Sequence, residues 1–208
     1  ADSVTFGWLA PLIYSIQCSK NFNDLYIPFY CNSTDLVTGK DILFSSGSLI
    51  TSIRSSISIP TVFSPVDYKD YLLVDGGVKN NVPVNLAKAL GADIVFTSMV
   101  ASSKPSKEEI KSSIVDVIGE SIFIHTSDLT KSNLEKSDYI LFVEMPQGSA
   151  AGFTENGLKN IYNSGKKAVY QNLDLFIDFK QKTGPKKIKS KPSTLDNLGL
   201  IVEDIIIN

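Results

Sequence analysis

The stretch Tyr71 to Asp93, YLLVDGGVKNNVPVNLAKALGAD, holds the residues best suited to chemistry. Its apolar start, Tyr71 to Val74, reads as a strand that delivers Asp75 at its C-terminal end, with Gly76 and Gly77 directly behind. In α/β sheets functional groups gather at the C-terminal ends of strands. A carboxylate there can take a proton from a nucleophile or orient one. The glycines beside it permit φ > 0 and leave room for another group to approach. Asp-Gly alone is equally a hairpin turn. Its setting favours the catalytic reading, because a purely structural strand end would not need a carboxylate followed by two glycines.

Other polar residues carry blander readings. His125 is the only histidine and falls near the face set by Ile114, Ile118 and Ile122, where a packed or partly exposed helical histidine is expected rather than a catalytic one. Arg54 is expected to fix its helix against the sheet, with pairing to a carboxylate near the site as the alternative. Asp35 reads as a turn former whose side chain caps local backbone. Asn80 and Asn81 are expected to shape the loop after Gly77 and start the next helix. Trp8, Leu9, Leu12 and Ile13 suit either a core or an acyl-chain pocket. Cys18 and Cys31 allow one disulfide, but with His125 they do not form a zinc pattern. No metal and no cofactor is expected.

The elements that must position Asp75 are legible from periodicity. Tyr26 to Ser33 reads as a strand, Asp35 to Lys40 as a turn and Asp41 to Phe44 as a second strand, together a hairpin. Ser48 to Ser56 reads as a helix with Leu49, Ile50 and Ile53 on one face, ended by Ile59-Pro60. Asn81 to Gly91 is a helix with Pro83 in its first turn and Gly91 at its exit. Asp93 to Val100 reads as a buried strand, Lys107 to about Ser132 as a long helix, Tyr139 to Val143 as a strand, and Leu158 to Ile177 as a last helix. Strands alternating with helices predict an α/β fold with a mostly parallel sheet between helices. The 208 residues suit one domain or a domain with an appendage; 43% are hydrophobic and 20% charged. A net charge of −2 offers no basic field, so nucleic acid is not an expected partner. No stretch has the roughly 20 apolar residues of a membrane span.

In this setting the motifs resemble the patatin-like phospholipase family. Asp75-Gly76-Gly77 after an apolar strand matches its aspartate motif, and Asn81, Pro83 and Gly91-Ala92-Asp93 match the family's next segment. Thr34-Asp35-Leu36 with Thr38-Gly39 is similar to its strand-and-turn element. Ile53-Arg54-Ser55-Ser56, Ile59-Pro60 and Phe63-Ser64-Pro65 are similar to its helix-and-proline element. The close resemblance runs from about Phe22 to Val100 and a looser one to about Tyr170.

The resemblance implies a three-layer α/β/α fold and a lipid acyl hydrolase with a Ser–Asp dyad. Asp75 would be the base, in the motif with Gly76 and Gly77. The substrate would be phospholipid or another acyl lipid at a membrane or micelle surface. The family's serine sits in a Gly-x-Ser-x-Gly elbow and its oxyanion hole in a glycine-rich loop, both N-terminal to the aspartate. The 208 residues contain neither, and Gly148-Ser149-Ala150-Ala151-Gly152 has its serine in the wrong place. The expectation is therefore a fragment: residues 1–178 the C-terminal half of the domain, inactive alone, with the N-terminal half as a partner. The alternative is a non-catalytic storage, scaffold or interaction domain on the same fold. Residues 179–196, including the lysine-rich run Lys180 to Lys191, read as a linker. Residues 197–208, with LGLIVEDIII, read as the first strand of a following domain. Some bacterial patatin-like proteins continue into a transport-associated domain and an outer-membrane barrel, so a bacterial source is expected.

Overall fold

A computed structural model of the chain describes residues 21–102, 107–112, 114–145 and 154–184. They form two compact units. Among the described residues, the first comprises 21–38 and Ile42–Asp75, and the second comprises Gly39–Asp41 and 76–184.

The first unit is built on a four-stranded sheet of order β2-β1-β4-β3. The strands are β1 (Cys31–Asp35), β2 (Asp41–Phe44), β3 (Val66–Tyr68) and β4 (Tyr71–Asp75). Helix α1 (Leu49–Ser56) packs on β1 and β4. Ser48 caps it, its hydroxyl accepting the Thr51 N–H at 3.3 Å. Leu49 joins Phe22, Phe44 and Leu73 in the core, with Ile50 and Ile53 packed alongside. That is the helix face expected from its apolar spacing.

One boundary is corrected here. Strand β1 begins at Cys31, because Pro28 withholds a ladder donor and restricts the residue before it. Within this unit β4 runs antiparallel to both β1 and β3. Only Lys69 and Asp70 separate β3 from β4, and two residues can close a hairpin but not a parallel crossover. Lys69 takes φ 56° in that turn.

The second unit carries the expected parallel α/β pattern. It contains α2 (Gly77–Asn80), α3 (Val84–Ala89), β5 (Phe96–Ser102), α4 (Lys107–Ser112), α5 (Ile114–Glu135), β6 (Tyr139–Met145), α6 (Glu155–Gln171) and α7 (Leu173–Thr183). Strands β5 and β6 pair in parallel, Phe96 opposite Tyr139 through Ser102 opposite Met145. A crossover containing α4 and α5 joins them, as parallel neighbours require. Helix α6 covers one face of β6, with Ala168 against Leu141 and Val143.

The last helix is two helices. Asn172 breaks it at φ −126°, ψ 33°, and its side-chain amide donates to the Ala168 carbonyl at 2.8 Å. Helix α7 then runs to Thr183, so Lys180 and Lys182 of the lysine-rich run are helical. The four-residue isoleucine repeat is not one buried stripe, since Ile114 is 79% exposed. The expectations for residues 1–20, Gly148 to Gly152, and everything after Gly184 lie outside the described residues.

Candidate functional site

Asp75 is the last residue of β4 and is half-buried. Its backbone N–H donates to the Ser58 carbonyl at 3.0 Å. Across the ladder it stands opposite Ser33. The chain then turns straight from strand into helix. Gly76 caps α2 at φ −62°, ψ −26°, and its carbonyl accepts from Lys79 N–H at 3.1 Å and Asn80 N–H at 2.8 Å. The expectation of left-handed glycines is thus corrected: Gly76 is right-handed helical, and the positive-φ glycines among the described residues are Gly39, Gly47, Gly91 and Gly184. Gly76 is buried, so what the position uses is its small size. Gly77 is the first residue of α2.

Asp35 is wholly buried and positions β4. Its carboxylate accepts from Val37 N–H at 3.3 Å, from Thr38 N–H at 3.0 Å and from the Thr38 hydroxyl at 2.6 Å. These bonds are the local turn cap read from the sequence. The fourth is long-range and has no local signal: Leu72 N–H donates to Asp35 at 3.0 Å across 37 residues. The Thr38 hydroxyl leads the bonds that hold this carboxyl below its ordinary range against the opposing effect of burial.

Arg54 is buried and structural, as expected. Its guanidinium donates to the Ser58 hydroxyl and, at 2.9 Å, to the Ser64 carbonyl, and it lies 5.5 Å from the Phe63 ring centre. The loop it holds includes the Ser58 carbonyl that receives Asp75.

In the second unit Asn80 anchors α2 from within. Its amide nitrogen donates to Asn85 at 3.1 Å and Asp41 at 3.4 Å, and its oxygen accepts from Asn133 at 3.0 Å. Asn133, on α5, also reaches Asn85 at 3.2 Å. The sequence flagged Asn80 but not Asn85 or Asn133. Polar residues on helices usually face water, and no periodicity marks Asn133 as buried or brings Asn85 to it.

Ser33 also escapes sequence reasoning. It is fully buried, and its hydroxyl has no hydrogen-bond partner among the described residues. Opposite residues of an antiparallel pair project to the same face, so Ser33 shares a sheet face with Asp75. Only the strand register reveals this. His125 is exposed on α5, apart from any cluster of metal-ligand type among the described residues. Cys31 is half-buried; desolvation pushes its thiol up to about 12, despite a hydrogen bond with Ser56 that lowers it.

Similarity to known families and proteins covers the same segment. Residues 21–88 match the family model described as patatin-like phospholipase. An uncharacterized NTE family protein of Mycobacterium bovis is 38% identical over 80 residues, which is 38% of this chain and 14% of that protein. Lysophospholipase nte1 of Aspergillus fumigatus is 34% identical over 90 residues, 43% of this chain and 6% of the relative. Patatin-like phospholipase domain-containing protein 7 of Mus musculus is 34% identical over 92 residues, 43% of this chain and 7% of the relative. The chain thus spans a small part of the relatives it matches. The matched family segment holds the Asp35 turn, the Arg54 helix and Asp75-Gly76-Gly77 together. Residues 21–88 are thus similar to the patatin-like phospholipase family over that segment.

Proposed function

We propose that this chain supplies the base of a Ser–Asp lipid acyl hydrolase that cleaves carboxylic esters of phospholipids or lysophospholipids. Asp75 is the base, and Gly76-Gly77 is the turn that exposes it. The serine elbow and oxyanion loop come from polypeptide N-terminal to Asn21. The serine hydroxyl attacks the ester carbonyl while Asp75 takes its proton. Backbone amides of the glycine-rich loop hold the oxyanion, and the proton passes to the leaving alcohol. Water then cleaves the acyl-enzyme, with Asp75 again as base. The substrate approaches from a membrane or micelle surface.

The observation that carries this reading is a half-buried aspartate at the C-terminal end of a strand, followed at once by a buried glycine and a helix, inside the family-matched segment. A base must be held in place, and the Ser58 bond holds the backbone of Asp75 at the strand end.

The reading makes the 208 residues inactive alone. They are assayed with a short-chain nitrophenyl ester and with lysophosphatidylcholine. Turnover that a serine-directed fluorophosphonate abolishes would show a nucleophile within this chain and overturn the division of labour.

A further inference from the structure

We propose that Ser33 is a positioning residue for the base: its buried hydroxyl hydrogen-bonds the Asp75 carboxylate and keeps it ionised and aimed for proton transfer. The inference rests on the functional reading above and deepens it by adding a residue to the site.

Ser33 is the middle residue of β1 and is fully buried. A serine hydroxyl carries one donor and two acceptor positions, and a buried one is almost always engaged. The Ser33 hydroxyl has no hydrogen-bond partner among the described residues. A polar group left so in an interior is costly and calls for an explanation.

The strand register supplies one. Ser33 stands directly opposite Asp75 in the antiparallel β1–β4 ladder. Opposite side chains leave the sheet on one face, with Cβ atoms about 4.5–5.5 Å apart. Two short polar side chains at that separation meet when both turn inward. By the same register Cys31 and Asp35 of β1, Tyr71 of β4 and Tyr68 of β3 lie on this face, and α1 brings Arg54.

These neighbours are engaged elsewhere. The Asp35 carboxylate accepts four bonds, from Val37, from Leu72 and twice from Thr38, and a carboxylate has about four acceptor positions. Arg54 donates to Ser58 and Ser64 and has no acceptor to offer. On α1 the Ser52, Ser55 and Ser58 hydroxyls donate back to the carbonyls of Ser48, Thr51 and Arg54. Asp75 is the remaining carboxylate on the face that Ser33 shares. A rotatable hydroxyl also suits a base that changes protonation. It donates to the carboxylate before proton transfer, which favours the charged form, and turns to accept from the carboxylic acid afterwards.

The test follows the Asp75 side-chain carboxyl carbon by NMR through an acid titration of the full 208-residue chain, with the resonance assigned by its loss in Asp75→Asn. Ser33→Ala is expected to raise the Asp75 titration by about one pH unit, the roughly tenfold effect of one hydrogen bond to a charged group. Ser33→Thr keeps a hydroxyl and is expected to titrate close to wild type. In a polypeptide that includes the serine-bearing part, the acid limb of kcat/KM in Ser33→Ala moves up by the same amount. A raised titration with an unmoved acid limb leaves the Ser33–Asp75 contact standing and removes Asp75 as the base. An unmoved titration overturns the contact whatever the thermal midpoint does, because a merely structural hydroxyl changes stability alone. In that case Asp75 stays the base if Asp75→Asn still abolishes turnover.

Discussion

The backbone N–H of Asp75 donates to the Ser58 carbonyl at 3.0 Å, and the Ser58 hydroxyl in turn takes the Arg54 guanidinium. The aspartate is therefore held through its main chain by a loop that a buried arginine anchors. Its carboxylate can change chemically without loss of that tether.

Asp75→Asn, made in a polypeptide that includes the serine-bearing part, keeps the Ser58 bond and the side-chain shape. It removes the carboxylate that accepts the proton in the proposed mechanism. The expected loss in kcat is at least about a hundredfold, with the circular dichroism spectrum and thermal midpoint retained. Near-wild-type turnover by a folded variant would remove Asp75 from the dyad.

Asp35→Asn should do the opposite. An amide presents one acceptor and one donor where four groups donate, so β4 loosens and the thermal midpoint falls by more than in Asp75→Asn. The pH profile carries the signature. The folded carboxyl lies below its ordinary value, so its contribution is present above about pH 4 and is lost as pH falls through the folded value. Urea unfolding between about pH 5 and pH 2 should show a shallower pH slope in Asp35→Asn than in wild type. Equal slopes would mean that Asp35 is not a stabilising carboxylate.

The sequence exposes some of these relationships and hides others. The helix at Leu49–Ser56, the strand at Asp41–Phe44 and the strand delivering Asp75 are legible because each has a clear apolar period and a capping or breaking residue. The turn cap of Asp35 is legible because it is local. The Asp35–Leu72 and Ser33–Asp75 relationships are not, because they depend on which strands pair and in what register. Strand β3 escapes notice because three residues with Asp67 in the middle carry no period. The second helix boundary at Asn172 is hidden because the apolar positions continue across it.

Cys31 should be a slow thiol. At pH 8 a group of pKa about 12 is roughly 10³-fold less ionised than one of pKa about 9, and the thiolate is the reacting form. Iodoacetamide labelling with peptide mass spectrometry should show Cys31 modified far more slowly in the native chain than in urea. Comparable rates would mean that the thiol is open to solvent.

Asn133→Ala removes the donor that reaches both Asn80 and Asn85. A buried acceptor left short of its partner costs about 1–3 kcal/mol, and that loss of unfolding free energy is expected. Chemical denaturation checks it; a change under about 0.5 kcal/mol would show that the carboxamide cluster contributes little to the stability of this unit.

The Asp35–Leu72 bond also bears on the order in which the first unit assembles. It spans 37 residues, and each pair of the β1–β4 ladder around it spans slightly more. Closing so long a loop has an entropic cost that falls before any ladder bond repays it. Helix α1 and the β3–β4 hairpin lie within that loop and involve near neighbours, so they shorten the effective chain that must close. Local elements therefore form ahead of the ladder, and the strand bearing Asp75 locks late. Folding speed should accordingly respond more to substitutions in α1 than to any change at Asp75 itself.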